Sequence, residues 1–314
     1  KQLGESKHQL ELPDIIIGCT VPPFSALSAY WAANYFGSKF IFEVGDLWPE
    51  TLVSAGKLGR HGPITKGLGA LESFLFRNSD KIITPLPEAA SYIKNQGVDE
   101  EKVTWVPNGV NPDRRVMSKQ HPCTRKKQCF RAIYIGAHSA TTSLDTIVKA
   151  ARIIKDEGYQ DICFEFVGDG PEKDNLRSLA SALSLENVTF KDSVPRKKIP
   201  KLLNCASVAL YTMKDLPVFK YGVASKKLFE YLASGLPVIF SANSPNDPVK
   251  SVNGGVSVRP ESPEAIADAI VQLYRLPEKE RLAMGNRGQK YIREHHNWSK
   301  IAENLESVIV SLID

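Results

Sequence analysis

The 314-residue chain contains no run of about eighteen apolar residues, so nothing in it reads as a membrane-spanning helix. Its five cysteines, Cys19, Cys123, Cys129, Cys163 and Cys205, are odd in number and scattered, without a C-x-x-C pair or a histidine at zinc-ligand spacing. That excludes a zinc finger and favours a reduced compartment. Cys19, Cys163 and Cys205 lie in apolar runs and read as small core residues, whereas Cys123 and Cys129 share a polar stretch where oxidation is expected in vitro. No charged, apolar, small-residue leader opens the chain. A cluster of metal ligands or an Asp-x-Asp pair at a strand end is also lacking, so a metal-dependent centre is not expected. The net charge of +5 is mild, and no basic stripe is interleaved with aromatics, which removes nucleic acid as the default partner. A phosphorylated substrate or an anionic membrane face fits better. Tandem repeats and low-complexity segments are missing too.

What is present is alternation. With 42% hydrophobic residues the chain can bury two cores of ordinary size. Apolar runs at 14–20, 39–44, 81–84 and 102–106 read as strands, and amphipathic stretches at 24–36, 64–77 and 87–96 as helices. Between 112 and 128 the pattern lapses into Pro, Arg, Lys and polar residues, a linker in which Arg125, Lys126 and Lys127 read as solvated charge. A second alternation follows, with strands at 132–136, 163–168, 188–190, 208–211 and 238–240. Helices are expected at 144–157, 172–184, 198–205 and 226–233. The fold class is therefore α/β, two parallel sheets covered by helices. Beyond Pro263 the pattern is helical, and a last amphipathic helix begins at Trp298.

The stretch from Ser225 to Phe240, SKKLFEYLASGLPVIF, carries the most chemistry. Ser225 suits a helix cap, and the free N–H groups of the first helical turn form a natural seat for an anion. Glu230 lies among Phe229, Tyr231 and Leu232; Gly235-Leu236-Pro237 ends the helix; Val238-Ile239-Phe240 is a buried strand. An amphipathic helix whose acid meets solvent fits the same pattern.

This segment resembles the donor-site signature of the retaining glycosyltransferases of family four, which have the GT-B architecture. The likeness is to the branch of L-fucosamine and N-acetylhexosamine transferases that build bacterial surface polysaccharides. Ser225, Lys227, Glu230, Tyr231, Ala233, Gly235, Pro237, Val238 and Ile239 match S-x-K-x-x-E-Y-x-A-x-G-x-P-V-I. A second match is FIFEVGDLWPE, from Phe40 to Glu50, in which Glu43, Asp46, Leu47, Trp48, Pro49 and Glu50 agree and Gly45 replaces the usual Arg. PNGV at 107–110 and GDGP at 168–171 complete four signatures in family order.

The resemblance implies two Rossmann-like domains facing a cleft. The first covers 1–111 and is rejoined by the helix at 298–314; the nucleotide-sugar half covers 129–297. It also implies that two or three βα units of ~30 residues would precede the strand at 14–20. The acid matching Glu230 holds the ribose hydroxyls in the family, and a carboxylate can accept two hydroxyl hydrogen bonds from a cis diol. Family members place an Arg and a Lys in the loop after the first strand of the second half. Here that loop, starting at Gly136, offers only His138 and Ser139, so Lys227, with Lys226, is the remaining cation for the diphosphate. Gly136 and Gly168, at two strand ends, are expected with His138 and Ser139 to line the donor site. The acid often found eight residues before Glu230 is replaced by Gly222, and its contact with the sugar is expected to pass to Lys220, Tyr221 or main chain near Val223 and Ala224.

Asp46 and Glu43, at a strand's carboxyl end, are expected to orient or deprotonate an acceptor hydroxyl, although Asp46 also suits a helix cap before Pro49. The implied activity is metal-independent transfer of a hexose or amino-sugar from a UDP-sugar to a lipid-linked or oligosaccharide acceptor. The implied place is the cytoplasm or the cytoplasmic membrane face. Residues 58–76 fit either a membrane-facing or a core-facing helix. A UDP-sugar epimerase of the same fold, or a non-catalytic nucleotide-sugar binder, is the alternative.

Overall fold

The computed structural model describes residues 12–111 and 129–313, and the expected linker with Cys123, Arg125, Lys126 and Lys127 lies outside them. The chain forms two compact units, one running to Val106 and taking in Glu303 onward, the other from Pro107 to Ala302.

In the first unit the elements are β1 (Ile15–Cys19), α1 (Pro23–Phe36), β2 (Lys39–Glu43), α2 (Glu50–Ser54), α3 (Pro63–Asn78), β3 (Lys81–Thr84), α4 (Ala89–Lys94) and β4 (Val103–Trp105). The strands pair in parallel in the order β1-β2-β3-β4. Each apolar run supplies a strand whose return crossover is helical, as parallel pairing demands. Gly18 lets α1 lie directly on β1, since a Cβ there would stand 2.8 Å from Ala29 Cβ and 2.9 Å from Ala26 Cα. On one sheet face Phe40 and Phe42 join Phe76 of α3, while Ile41 and Ile83 on the other meet Leu305, Val308 and Ile309 near the C-terminus. Helix α3 buries Thr65, Glu72, Leu75 and Phe76 but leaves Ile64 and Phe74 exposed. Cys19 is exposed rather than a core residue, because it ends β1 where the strand leaves the sheet.

The second unit contains β5 (Phe130–Ile135), α5 (Leu144–Asp156), β6 (Ile162–Val167), α6 (Lys173–Ala182), β7 (Val188–Lys191), α7 (Ile199–Leu203), β8 (Val208–Thr212), α8 (Lys226–Ala233), β9 (Val238–Ser241), α9 (Pro248–Ser251), β10 (Gly255–Val258), α10 (Pro263–Arg275) and α11 (Glu278–His295). The last helix, α12, is Trp298–Ile313. All pairings in this sheet are parallel, in the order β10-β9-β8-β5-β6-β7. Strand order therefore reverses between β5 and β8, and in open sheets ligands bind at the carboxyl ends beside such a reversal.

Side-chain alternation builds two cores. Ala132 and Tyr134 of β5, with Val208 and Leu210 of β8, face α5 and α10, whereas Ile133, Ile135, Ala209 and Tyr211 face α8. Beyond Pro263 the chain is helical as expected, but strand β10 just before it is not among the strands expected from the sequence: Gly255 pairs so closely with Val238 that a Cβ would stand 1.9 Å from its carbonyl oxygen. Cys163 is likewise not a free core thiol. It is bonded to Cys129, and their Cα atoms lie 6.0 Å apart, because the parallel pairing of β5 with β6 brings both amino ends together.

Glu72 is the most unusual buried group in the first unit. It is 4% exposed, and Tyr92 Oη and Gln96 Nε2 donate to its Oε2 at 2.7 and 3.2 Å. Burial pushes the carboxyl up to about 8, and the two donors only partly oppose that. The folded state therefore holds this proton where the unfolded chain has released it, so the stabilisation is present at acidic pH and is lost as pH rises towards 8. Glu72→Gln, which cannot ionise, is expected to unfold with a flatter pH dependence than the parent between pH 5 and 8 and to gain relative stability at the alkaline end. Urea titrations of both proteins across that range measure the difference, and parallel curves would show that Glu72 is ionised in the fold.

Candidate active site

The loops leaving β5 and β6 are joined backbone to backbone. Gly136 N–H donates to Val167 O at 2.9 Å, His138 N–H to Asp169 O at 2.8 Å, and Glu172 N–H to His138 O at 3.0 Å. A Cβ at Gly168 would lie 1.9 Å from Gly136 O, and one at Gly170 would lie 2.4 Å from His138 O. Both glycines also have φ of 150°, so any side chain is excluded twice over. Lys173, 5% exposed, ties the pair down by donating to Gly168 O at 3.0 Å and Asp192 Oδ1 at 2.7 Å.

Helix α8 is fixed against the same place by Tyr231. Its fully buried hydroxyl accepts from Ile135 N–H at 2.7 Å and donates to Ile135 O at 3.0 Å. One turn earlier, Lys227 lies across Gly136, where a Cβ would stand 2.6 Å from its Cε. Lys227 Nζ donates to Tyr134 Oη at 2.7 Å and sits 4.4 Å from the centre of that ring. The Tyr134 hydroxyl in turn donates a hydrogen bond to Ala137 O at 2.7 Å. No carboxylate among the described residues pairs with Lys227. Burial pulls its ammonium down to about 8.

Ser225 occupies the cap position of α8, but its side chain makes no capping bond, contrary to the sequence expectation. The hydroxyl neighbours the Tyr211 phenol instead, and the Ser225 carbonyl accepts from Leu228 N–H at 3.1 Å. The Lys226 and Lys227 N–H groups of the first turn thus keep their capacity for an external acceptor. Asn246 holds the preceding loop by accepting from Val223 N–H at 2.8 Å and donating to Val223 O at 2.9 Å. Asn108 donates to Ala224 O at 2.7 Å. These bonds occupy both main-chain groups of Val223 and the Ala224 carbonyl, which had been expected to reach a sugar.

The other expected residues fall as follows. His138 is 0% exposed, neither ring nitrogen has a partner, and desolvation followed by the Lys173 charge lowers its pKa. Ser139 Oγ lies 3.1 Å from Thr141 Oγ1. Lys226 is exposed, with Nζ 5.9 Å from the Trp298 ring, and is not brought to the Gly136 loop with Lys227. Glu230 receives Arg196 Nη2 on Oε1 at 2.5 Å. In the first unit Cys19 Sγ donates to Glu43 Oε2 at 2.8 Å, and Thr20 Oγ1 accepts from Gly45 N–H at 3.0 Å. Asp46 is exposed, and its carboxyl is raised by the desolvating loop around it. It caps no helix, because α2 starts at Glu50 with Pro49 in the cap position.

Sequence reasoning missed Tyr231 as a clamp, Asn108, Asn246, Arg196 and Glu72. Tyr231 stood inside the quoted signature, and Asn108 inside PNGV, so a signal existed for those two. PNGV also carries Gly109, which packs on Trp298 with 2.8 Å left for a Cβ, and its Asn108 carbonyl faces His296 Nδ1 at 3.2 Å. Among the described residues no group of three or more His, Cys, Asp or Glu side chains is arranged to hold a metal, and no helix is long and apolar enough to cross a membrane.

Residues 119–291 match the family model for glycosyl transferases group 1, and residues 6–114 match that for glycosyltransferase family 4. The chain is 22% identical over 272 residues to the probable glycosyltransferase WbjE of Pseudomonas aeruginosa, covering 84% of this chain and 66% of that protein. It is 24% identical over 286 residues to the putative colanic acid biosynthesis glycosyl transferase WcaI of Escherichia coli K12, covering 86% and 69%. Among solved structures, Anabaena HepE in complex with UDP and glucose superposes with a TM-score of 0.76 at 15% identity, over 95% of this chain and 78% of that one. WaaG, a glycosyltransferase involved in lipopolysaccharide biosynthesis, gives 0.68 at 18% identity, over 90% and 82%. The two parallel-sheet units thus have the GT-B fold, and with more than half of its length in the first match the chain belongs to the glycosyl transferases group 1, as a family-four type.

Proposed function

We propose that the protein transfers a hexose or amino-sugar from a UDP-sugar to a saccharide acceptor, with retention at the anomeric carbon, in surface-polysaccharide assembly. The observation that carries the reading is Lys227: a half-buried ammonium without a carboxylate partner among the described residues, at the uncapped start of α8 and against the Gly136 backbone. Keeping an uncompensated cation from water is costly, and an incoming dianion would offset that cost. UDP is favoured because HepE, which shares the fold, has been solved with UDP and with UDP-glucose. A lipid-linked acceptor is suggested by the involvement of WaaG in lipopolysaccharide biosynthesis and the putative one of WcaI in colanic acid biosynthesis.

In this reading Lys227 and the first-turn N–H groups of α8 take the β-phosphate, and Glu230 takes the ribose diol. As the bond from the anomeric carbon to the phosphate oxygen breaks, charge grows on the diphosphate, where fixed positive groups contribute most. The acceptor oxygen attacks the face that the diphosphate leaves, and its proton passes to the departing phosphate oxygen. Retention rests on the family resemblance. Asp46, assisted by Glu43, orients the acceptor hydroxyl.

Three outcomes are expected. Because Lys227 is depressed to about 8 in the free protein, a bound diphosphate should raise it again. Above pH 8, UDP binding should therefore take up a proton, and affinity should fall as pH rises. Calorimetry in buffers of different ionisation enthalpy will detect that proton, and its persistence in Lys227→Met would assign it elsewhere. Glu230→Gln should weaken UDP binding by about 1.5–3 kcal/mol through loss of a charged acceptor. Unchanged affinity would remove the ribose role. Asp46→Asn should leave UDP affinity intact while sugar transfer falls by roughly 10²-fold. A fully active variant would exclude Asp46 from the acceptor step.

A further inference from the structure

Glu230 meets a partner with which no sequence motif connects it. Arg196 comes from the turn after β7, 34 residues away, and its Nη2 meets Glu230 Oε1 at 2.5 Å. Both ends of this contact are anchored by packing. Val194 and Ile199 flank Arg196 and are packed on the same core cluster as Leu228, Phe229 and Tyr231, which flank Glu230. The turn itself is closed by Lys198 N–H donating to Pro195 O at 2.8 Å. The guanidinium therefore reaches a fixed carboxylate from a fixed backbone, leaving Arg196 65% and Glu230 30% exposed as side chains.

An ion pair this exposed adds little to folding stability. Its consequence is orientation. A guanidinium holding Oε1 stops the carboxylate from rotating freely and leaves Oε2 to accept from a ligand. A cis diol is best met by such a pre-oriented acceptor, and ordering it beforehand removes a cost that binding would otherwise bear.

We infer that Arg196 is a positioning residue for the nucleoside subsite, holding Glu230 as the acceptor of a ribose diol and so setting the preference for ribo- over deoxyribonucleotides. This rests on the reading of Glu230 as the ribose ligand. Arg196 acts through Glu230, and a nucleotide without ribose hydroxyls is indifferent to it.

The test compares UDP with 2′,3′-dideoxy-UDP, by calorimetry, on the parent, Arg196→Ala, Arg196→Lys and Glu230→Gln. The parent should prefer UDP by about 10-fold or more, the range for hydrogen bonds to a charged group. Glu230→Gln should collapse that preference. Arg196→Ala should lower UDP affinity several-fold, leave dideoxy-UDP unchanged and keep the parent's melting temperature, while Arg196→Lys should regain part of the loss. Collapse in Glu230→Gln with an unaltered ratio in Arg196→Ala would overturn the positioning role alone. Equal losses for both nucleotides in Arg196→Ala would overturn it too, by showing direct contact with base or phosphate. An unaltered ratio in Glu230→Gln would remove the ribose reading and this inference with it.

Discussion

The second unit's site depends on one pair of hydrogen bonds, those between the Tyr231 hydroxyl and both main-chain groups of Ile135. A strand's last residue ordinarily loses its ladder partners as the chain turns away, and a buried group left in that state costs about 1–3 kcal/mol. Here a side chain from α8 satisfies it. The helix is thereby held at a fixed height against the end of β5, and Lys227, one turn from Tyr231, falls on Gly136 rather than elsewhere along the sheet.

That placement works only because glycines stand where the loops beneath it touch. Gly136, Gly168 and Gly170 let two chain reversals touch through their backbones, and Lys173 neutralises the carbonyl crowding from below. Such glycines have a conformational cost in the unfolded chain and in return let the two loops pack backbone against backbone. PNGV serves the same end from outside the sheet. Asn108 and Asn246 fix the residues leading into α8, so the helix start is rigid although its cap side chain is not engaged.

Charge is distributed unevenly around this frame. Lys173 and Glu230 are matched by Asp192 and Arg196, whereas Lys227, among the described residues, meets the Tyr134 hydroxyl and the rings of Tyr134 and Tyr211 but no carboxylate. Pairing accompanies the residues that hold shape, and Lys227, which lacks it, has its pKa pulled down by burial, a pattern common where charge on a ligand completes the balance. His138 shares the second condition, being buried with both ring nitrogens unpartnered, and its neutral form is the one that this surrounding favours.

Much of the architecture follows from sequence alone. Strands with two buried faces are short apolar runs and their helices are amphipathic, so β5, β6, β8 and β9 with α5, α6 and α8 are legible without coordinates. The site's glycines, Lys227 and Glu230 stand at motif spacing and are legible too. What the sequence does not contain is which distant residues meet. Cys129 and Cys163 are 34 residues apart and become partners through strand pairing, and Arg196 finds Glu230 across another 34. Ser225 had the right residue type for a cap, yet the loop in front of it, set by Asn246, directs its hydroxyl to Tyr211. Local propensity and period act over a few residues and fix the elements. Pairing, burial and the pKa values that follow from burial, those of Glu72 and Lys227 above all, arise only when remote segments exclude water from the same small volume.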